Sequence, residues 1–183
     1  MRVRVIASAV IISLMALMFT ACDRNQVTTM DIDEPMTMEK VNESSANVVK
    51  AYIESIFTAN REMFEKCYPE EFINGLKEDD MDIYQQYIDT MQAPGTFIGT
   101  QYINYNEMNE EGGYDDWESF RDDISLIQGV EASSIESLQI VCVKVYFEID
   151  GENKAQEIYA IAYKTNGAWY MYELQKADAE FKN

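Results

Sequence analysis

Histidine is absent from the 183 residues. That excludes a Ser-His-Asp triad, a Cys-His pair, a histidine general base and a zinc site with imidazole ligands. Cysteine occurs only as Cys22, Cys67 and Cys142, with no Cys-x-x-Cys pair. The few glycines form no phosphate-cradling loop or dinucleotide fingerprint, and Gly112-Gly113 stands alone. Basic residues are scarce: 14 Lys and Arg face 33 Asp and Glu, for a net charge of −19. So acidic a surface repels nucleic-acid phosphates and anionic lipid heads. No nucleic-acid partner and no cofactor is expected. There is no internal repeat and no low-complexity tract.

What is present begins with a leader. Met1-Arg2-Val3-Arg4 is basic, Val5 to Phe19 is apolar, and Thr20-Ala21-Cys22 follows. A basic start, a short apolar run and small residues before a cut describe a signal peptide over 1–21. The apolar run is shorter than the roughly 20 residues a membrane span needs. Thr20-Ala21-Cys22 resembles the end of a bacterial lipobox, where cleavage before the cysteine accompanies lipid attachment to its sulfur. Cys22 is therefore the expected lipidation site. The expected location is the extracytoplasmic face of the cell membrane, with attachment by the lipid alone.

Residues 22–43 are polar and aperiodic and read as a flexible tether. Ser44 or Ser45 then caps a helix with Val49, Ile53 and Phe57 on one stripe. Asn60 caps a second, short helix with Met63, Phe64 and Cys67. Pro69 opens a third, with Glu70 and Glu71 at its positive end. Met81 to Met91 has helical spacing and stops at Ala93-Pro94-Gly95. Thr96 to Asn106 is strand-like. Glu107 to Asp116 reads as an acidic loop, and Trp117, Phe120, Ile124 and Ile127 mark another helix, which Asp115 or Asp116 could cap. The tail is 177–183.

Residues 138–174 read as a three-strand antiparallel meander. Val141, Val143, Val145, Phe147 and Ile149 alternate with the period of a strand. Asp150-Gly151 begins one turn, and Asn166-Gly167 has the composition of a type I′ hairpin turn. A two-residue turn there sets Thr165 opposite Ala168, Tyr163 opposite Tyr170 and Ile161 opposite Tyr172. One face then carries Val141, Val143, Val145, Phe147, Ile158, Ala160, Ala162, Trp169 and Met171. The other carries Ile140, Cys142, Tyr146, Tyr159, Ile161, Tyr163, Tyr170 and Tyr172. Neither is polar, so helices are expected over the aliphatic face. The tyrosine face must line a pocket, meet a partner, or lie under another part of the chain.

The order of elements resembles the nuclear transport factor 2-like (cystatin-like, cone-shaped) superfamily. More narrowly, it resembles lipoproteins of Gram-positive bacteria that carry such a domain after a lipobox. The resemblance rests on Val48-Val49-Lys50-Ala51-Tyr52, on Asn60 with Phe64, and on Asn166-Gly167-Ala168-Trp169-Tyr170, and it covers residues 44–176. It implies an α+β fold in which a strongly curved antiparallel sheet packs on N-terminal helices. It also implies a cavity at the open end of the cone and frequent dimerisation.

The acidic runs, Asp79, Asp80 and Asp82, then Glu107, Glu110, Glu111, Asp115 and Asp116, lack the spacing of a calcium loop and read as solvated surface. No metal site is expected. Cys67 and Cys142 are either a disulfide pair or two part-buried thiols. A carboxylate base with tyrosine donors would make a small-molecule isomerase or hydrolase, but no acid sits within an apolar strand pattern; Glu157 and Glu173 come nearest. The expected function is a non-catalytic module that binds a small apolar ligand or a protein partner. Tyr102, Tyr146, Tyr159, Tyr163, Tyr170 and Tyr172 are the expected contacts. A structural role, with the tyrosine face closing a homodimer, is the other alternative.

Overall fold

The computed structural model describes residues 25–26, 29–90, 93–109, 114 and 117–175. Cys22, the leader and the tail lie outside them. Four helices come first: α1 (Ser45–Phe57), α2 (Arg61–Lys66), α3 (Glu70–Glu78) and α4 (Ile83–Thr90). Their starts follow local chemistry. The Ser44 hydroxyl accepts from Asn47 N at 3.1 Å, and Asn60 Oδ1 accepts from Met63 N at 3.1 Å. Asp82 Oδ1 does the same for Gln85 N at 2.9 Å. Each satisfies an amide that the first helical turn leaves without a partner.

The sheet contains β1 (Asn25–Gln26), β2 (Thr96–Glu107), β3 (Ile135–Ile149), β4 (Glu152–Thr165) and β5 (Ala168–Gln175), and α5 (Trp117–Gln128) joins β2 to β3. Its order is β2–β3–β4, with β5 and β1 sharing the outer edge of β4. Every pairing is antiparallel and the sheet stays open. Both hairpin turns use paired positive φ values. Asp150 and Gly151 stand at 54° and 78°, Asn166 and Gly167 at 51° and 77°. That is the type I′ geometry whose twist suits the flanking strands.

The aliphatic face is covered as its composition requires. All nine of its residues join one core with Val48, Val49, Tyr52, Ile53 and Ile56 of α1 and the apolar residues of α2 and α4. Part of the tyrosine face is covered by α5. Ile124 packs there with Ile140, Ile161, Tyr163 and Tyr172 in a second core. Part of that face therefore lies under another part of the chain, while Tyr170 on it lines open clefts.

Within the β4–β5 hairpin the register departs from simple alternation at one point. Thr165 pairs with Ala168 and Tyr163 with Tyr170, but Ile161 pairs with Glu173, not Tyr172. An extra residue in β5 makes a bulge between Ile161 and Ala162.

Residues 29–43 correct the expectation of a tether over 22–43. Asn25 and Gln26 pair with Ala155 and Lys154 on β4. By Asp33 the chain has reached the opposite edge, where Asp33 N donates to the Thr100 carbonyl at 2.9 Å. Asp33 Oδ2 accepts from Tyr102 N at 2.8 Å and pairs with Lys50 Nζ at 2.9 Å. Glu54, buried on α1, accepts from the Thr100 hydroxyl at 2.6 Å and from Met36 N at 2.8 Å. Val41 is fully buried. Polar composition hid these contacts because most are made by backbone and carboxylate groups.

The far edge is capped as well. Asn42 Nδ2 donates to the Trp169 carbonyl at 2.8 Å, and Met171 N donates to the Cys67 carbonyl at 2.8 Å. Such contacts occupy groups that an open edge strand would offer to another chain.

Candidate functional site

The six tyrosines expected to form a contact surface separate in the structure. Tyr163 is fully buried, and its hydroxyl donates to Gln128 Oε1 at 2.7 Å. Gln128 Nε2 in turn donates to the Met171 carbonyl at 3.0 Å, so one buried amide fastens the end of α5 to β4 and β5. Tyr172 is buried in the same core. Tyr146 is buried and donates to Gln101 Oε1 at 2.7 Å. Tyr159 is half-buried and donates to Glu157 Oε2 at 3.1 Å. Tyr102 lies on the opposite, helix-covered side, because it follows Thr100 and Gln101 in register with Val143. Tyr170 is the one of the six that lines a described cleft.

Cys67 and Cys142 are free thiols, both buried. Cys67 belongs to the helix-side core, and its Sγ donates to the Met63 carbonyl at 3.2 Å. Cys142 pairs with Tyr159 in the tyrosine-side register. The sheet separates them, so the disulfide alternative is excluded by geometry. Burial pushes the Cys142 thiol up to about 11 and Cys67 higher still. Neither is primed as a nucleophile, which needs a thiolate.

Among the described residues, three concavities bear on a site. One, of about 260 Å3, lies between α2, α3 and α4. Phe64, Ile73, Leu76, Met81, Ile83 and Tyr84 give it apolar walls. Its rim is closed by ion pairs: Arg61 is bidentate to Asp82 at 3.0 and 2.8 Å, and Lys77 meets Glu65 at 2.7 Å. The charged pairing holds Arg61 above and Asp82 below their ordinary values, chiefly through those hydrogen bonds.

The other two clefts flank Tyr170. One, of about 390 Å3, is bounded by Asn42, Lys66, Tyr68, Asn74 and Lys77 among others. The second, of about 410 Å3, lies between the start of α3, residues 129–134 and the β4–β5 turn. Tyr170 is half-buried and tilts against Tyr163 with ring centroids 5.9 Å apart. Burial, then the nearby Glu71 carboxylate, pushes its phenol up. Sequence reasoning found Tyr170 but not its neighbours, since Glu71, Asn74 and Glu131 are ordinary polar residues until the fold brings them together.

A buried polar cluster sits elsewhere, among the helices. Tyr52, Tyr68 and Tyr87 bring their hydroxyls together under α1, and burial holds all three well protonated. Their ring centroids lie 6.1 and 6.0 Å apart around Tyr52. Mutual hydrogen bonding satisfies hydroxyls that would otherwise be costly in an apolar core.

Among the described residues no group of three or more Cys, Asp or Glu converges as a metal site. No helix among them is long and apolar enough to cross a membrane. The fold defines the class, an α+β domain with an open antiparallel sheet between two helical layers. No family model, curated protein or solved structure matches the chain.

Proposed function

We propose that this chain is a non-catalytic binding module, held at the extracytoplasmic face of the cell membrane by a lipid on Cys22. The observation that carries the binding role is Tyr170, a half-buried aromatic between two clefts whose hydroxyl has no hydrogen-bond partner among the described residues. Both of those clefts have mainly polar linings. Concave sites of a few hundred Å3 with apolar walls and few polar groups are ordinary ligand sites, and the slot between α2, α3 and α4 suits a small apolar ligand on those grounds. Buried, protonated thiols and the lack of histidine leave catalysis without a nucleophile–base pair. The anchor rests on the basic start, the apolar run and Thr20-Ala21-Cys22.

The finer fold reading is the cone-shaped nuclear transport factor 2-like domain. In its favour are helices stacked on one face of a meander and two bulges in β2, which bend a strand. Native mass spectrometry of the detergent-solubilised protein from its own membranes tests the function. The expected species starts at a lipid-modified Cys22 and retains a small ligand or a protein partner. An unmodified N-terminus in the soluble fraction refutes the anchor.

A further inference from the structure

The slot between α2, α3 and α4 keeps two kinds of surface apart. Its walls are apolar, and Phe64, Ile73, Leu76 and Tyr84 among them are buried. Its charged groups stand at the mouth, where Arg61, Lys77 and Asp82 are exposed and Glu65 is half-buried. These four form a chain of ion pairs: Asp82 to Arg61 at 2.8 Å, Arg61 to Glu65 at 3.7 Å, and Glu65 to Lys77 at 2.7 Å. Arg61 and Glu65 belong to α2, Lys77 belongs to α3, and Asp82 caps α4. The pairs therefore tie all three helices together at the opening. Arg61 also lies 4.6 Å from the centroid of the Tyr84 ring. Met81 is held at the end of α3 by its amide, which donates to the Leu76 carbonyl at 2.8 Å. Its unbranched side chain is a wall that can adjust.

Such walls offer water no hydrogen bonds, and an apolar molecule between them gains dispersion contacts. An apolar cavity of about 150 Å3 admits benzene, so about 260 Å3 suits roughly ten heavy atoms. An ionic head finds the four charges at the mouth already neutralising one another, and seating it there means breaking a pair. An anion also meets the repulsion of a chain at −19. An uncharged molecule meets neither cost. Exposed pairs of this kind are weak and open readily.

We infer that this slot takes an uncharged apolar molecule of roughly ten heavy atoms, and that the ion pairs at its mouth are the gate through which that molecule passes. The inference rests on the reading of the chain as a binding module and names the ligand class and the gate of its apolar slot.

The test is methyl NMR of the full chain in lipid nanodiscs, with free 1-octanol set by equilibrium dialysis. 1-Octanol should bind saturably and shift the methyl signals of Ile73, Leu76 and Ile83. Octanoate, the comparator, should bind at least about tenfold more weakly, because its charge must be desolvated at a mouth with no free cation. Met81→Phe should weaken octanol at least about tenfold by occupying the same space, and thermal unfolding confirms that the variant folds. The gate is read from exchange rates. Asp82→Asn keeps the cap of α4, and with Lys77→Gln it removes the outer pairs. Entry and exit should both quicken at least about threefold, with affinity held within about twofold. Raising salt from about 20 to about 500 mM should quicken exchange in the parent chain but not in that double variant. Net charge exerts no pull on a neutral probe, so this salt effect reports the pairs alone. Exchange that ignores both salt and the double variant overturns the gate. Saturable shifts confined to other methyl groups, or none at all, overturn the slot as the site, while the binding-module reading is still decided by what the native protein retains from its membranes. Octanoate binding more tightly than octanol sinks the uncharged ligand and leaves the binding-module reading standing.

Discussion

Gln128 shows how one side chain decides the fate of a surface. Its buried amide spans the Tyr163 hydroxyl and the Met171 carbonyl, and both contacts are internal. Replacing it with Leu keeps the bulk but leaves that hydroxyl without a partner. Leaving a buried polar group unmatched costs about 1–3 kcal/mol. The urea midpoint of Gln128→Leu should therefore fall. Adding Tyr163→Phe removes the stranded hydroxyl and should restore part of the loss. A midpoint that does not move in Gln128→Leu would show that α5 is not fastened here. Nothing in the local sequence marks Gln128: it sits at the end of an amphipathic helix, where glutamine is usually exposed. Tyr163 was legible as a sheet residue, but its partner across the interface was not.

At the scale of elements, close approach separates two glycines that read alike in sequence. A Cβ on Gly95 would lie 2.2 Å from the Glu148 carbonyl oxygen, which is backbone and cannot step aside. A Cβ on Gly99 would meet the Ile32 side chain at 2.6 Å, and Ile32 is partly exposed and can rotate away. Gly95→Ala should cost about 1–3 kcal/mol, the range for overpacking. Gly99→Ala should cost distinctly less. Paired urea denaturation curves check the order, and the reverse order would contradict the packing of residues 29–36 across β2. The same scale explains what could be read in advance. Helix caps at Ser44 and Asn60, the Pro69 start and both Gly-containing turns depend on neighbours within a few residues. The bulge opposite Ile161 and the course of residues 29–43 depend on groups far away in sequence.

Over the whole molecule, alkaline pH should be the weak side of stability. Burial pushes Tyr87 up to about 12 from its ordinary value of 10.0, and raises Tyr52 and Tyr68 further. Cys142 rises to about 11 from 9.0. These groups are acids that lose their proton more readily when unfolded. Below the unfolded values both states are protonated and the contribution is fully present. As pH climbs from about 9 through 12, the unfolded chain ionises first and stability falls. Urea unfolding at about pH 8, 10 and 11 should show a flat region and then a steep decline. Phenolate absorbance from the buried tyrosines should appear together with unfolding, not ahead of it. Stability unchanged up to about pH 11 would mean that the phenols are not buried as described.

Short-range chemistry in the chain determined much of this protein by itself. Period-two alternation placed β3 and β4, Asn166-Gly167 placed the hairpin, and four-residue spacing placed α1. The two-sided apolar meander required cover on both faces. Which piece supplied that cover was decided only by tertiary structure. A sheet face presents the same alternation to a ligand, to a second copy or to its own helix. The choice fell to α5 because Ile124 fills that face and Gln128 answers its buried hydroxyl, contacts that exist only once both elements are in place.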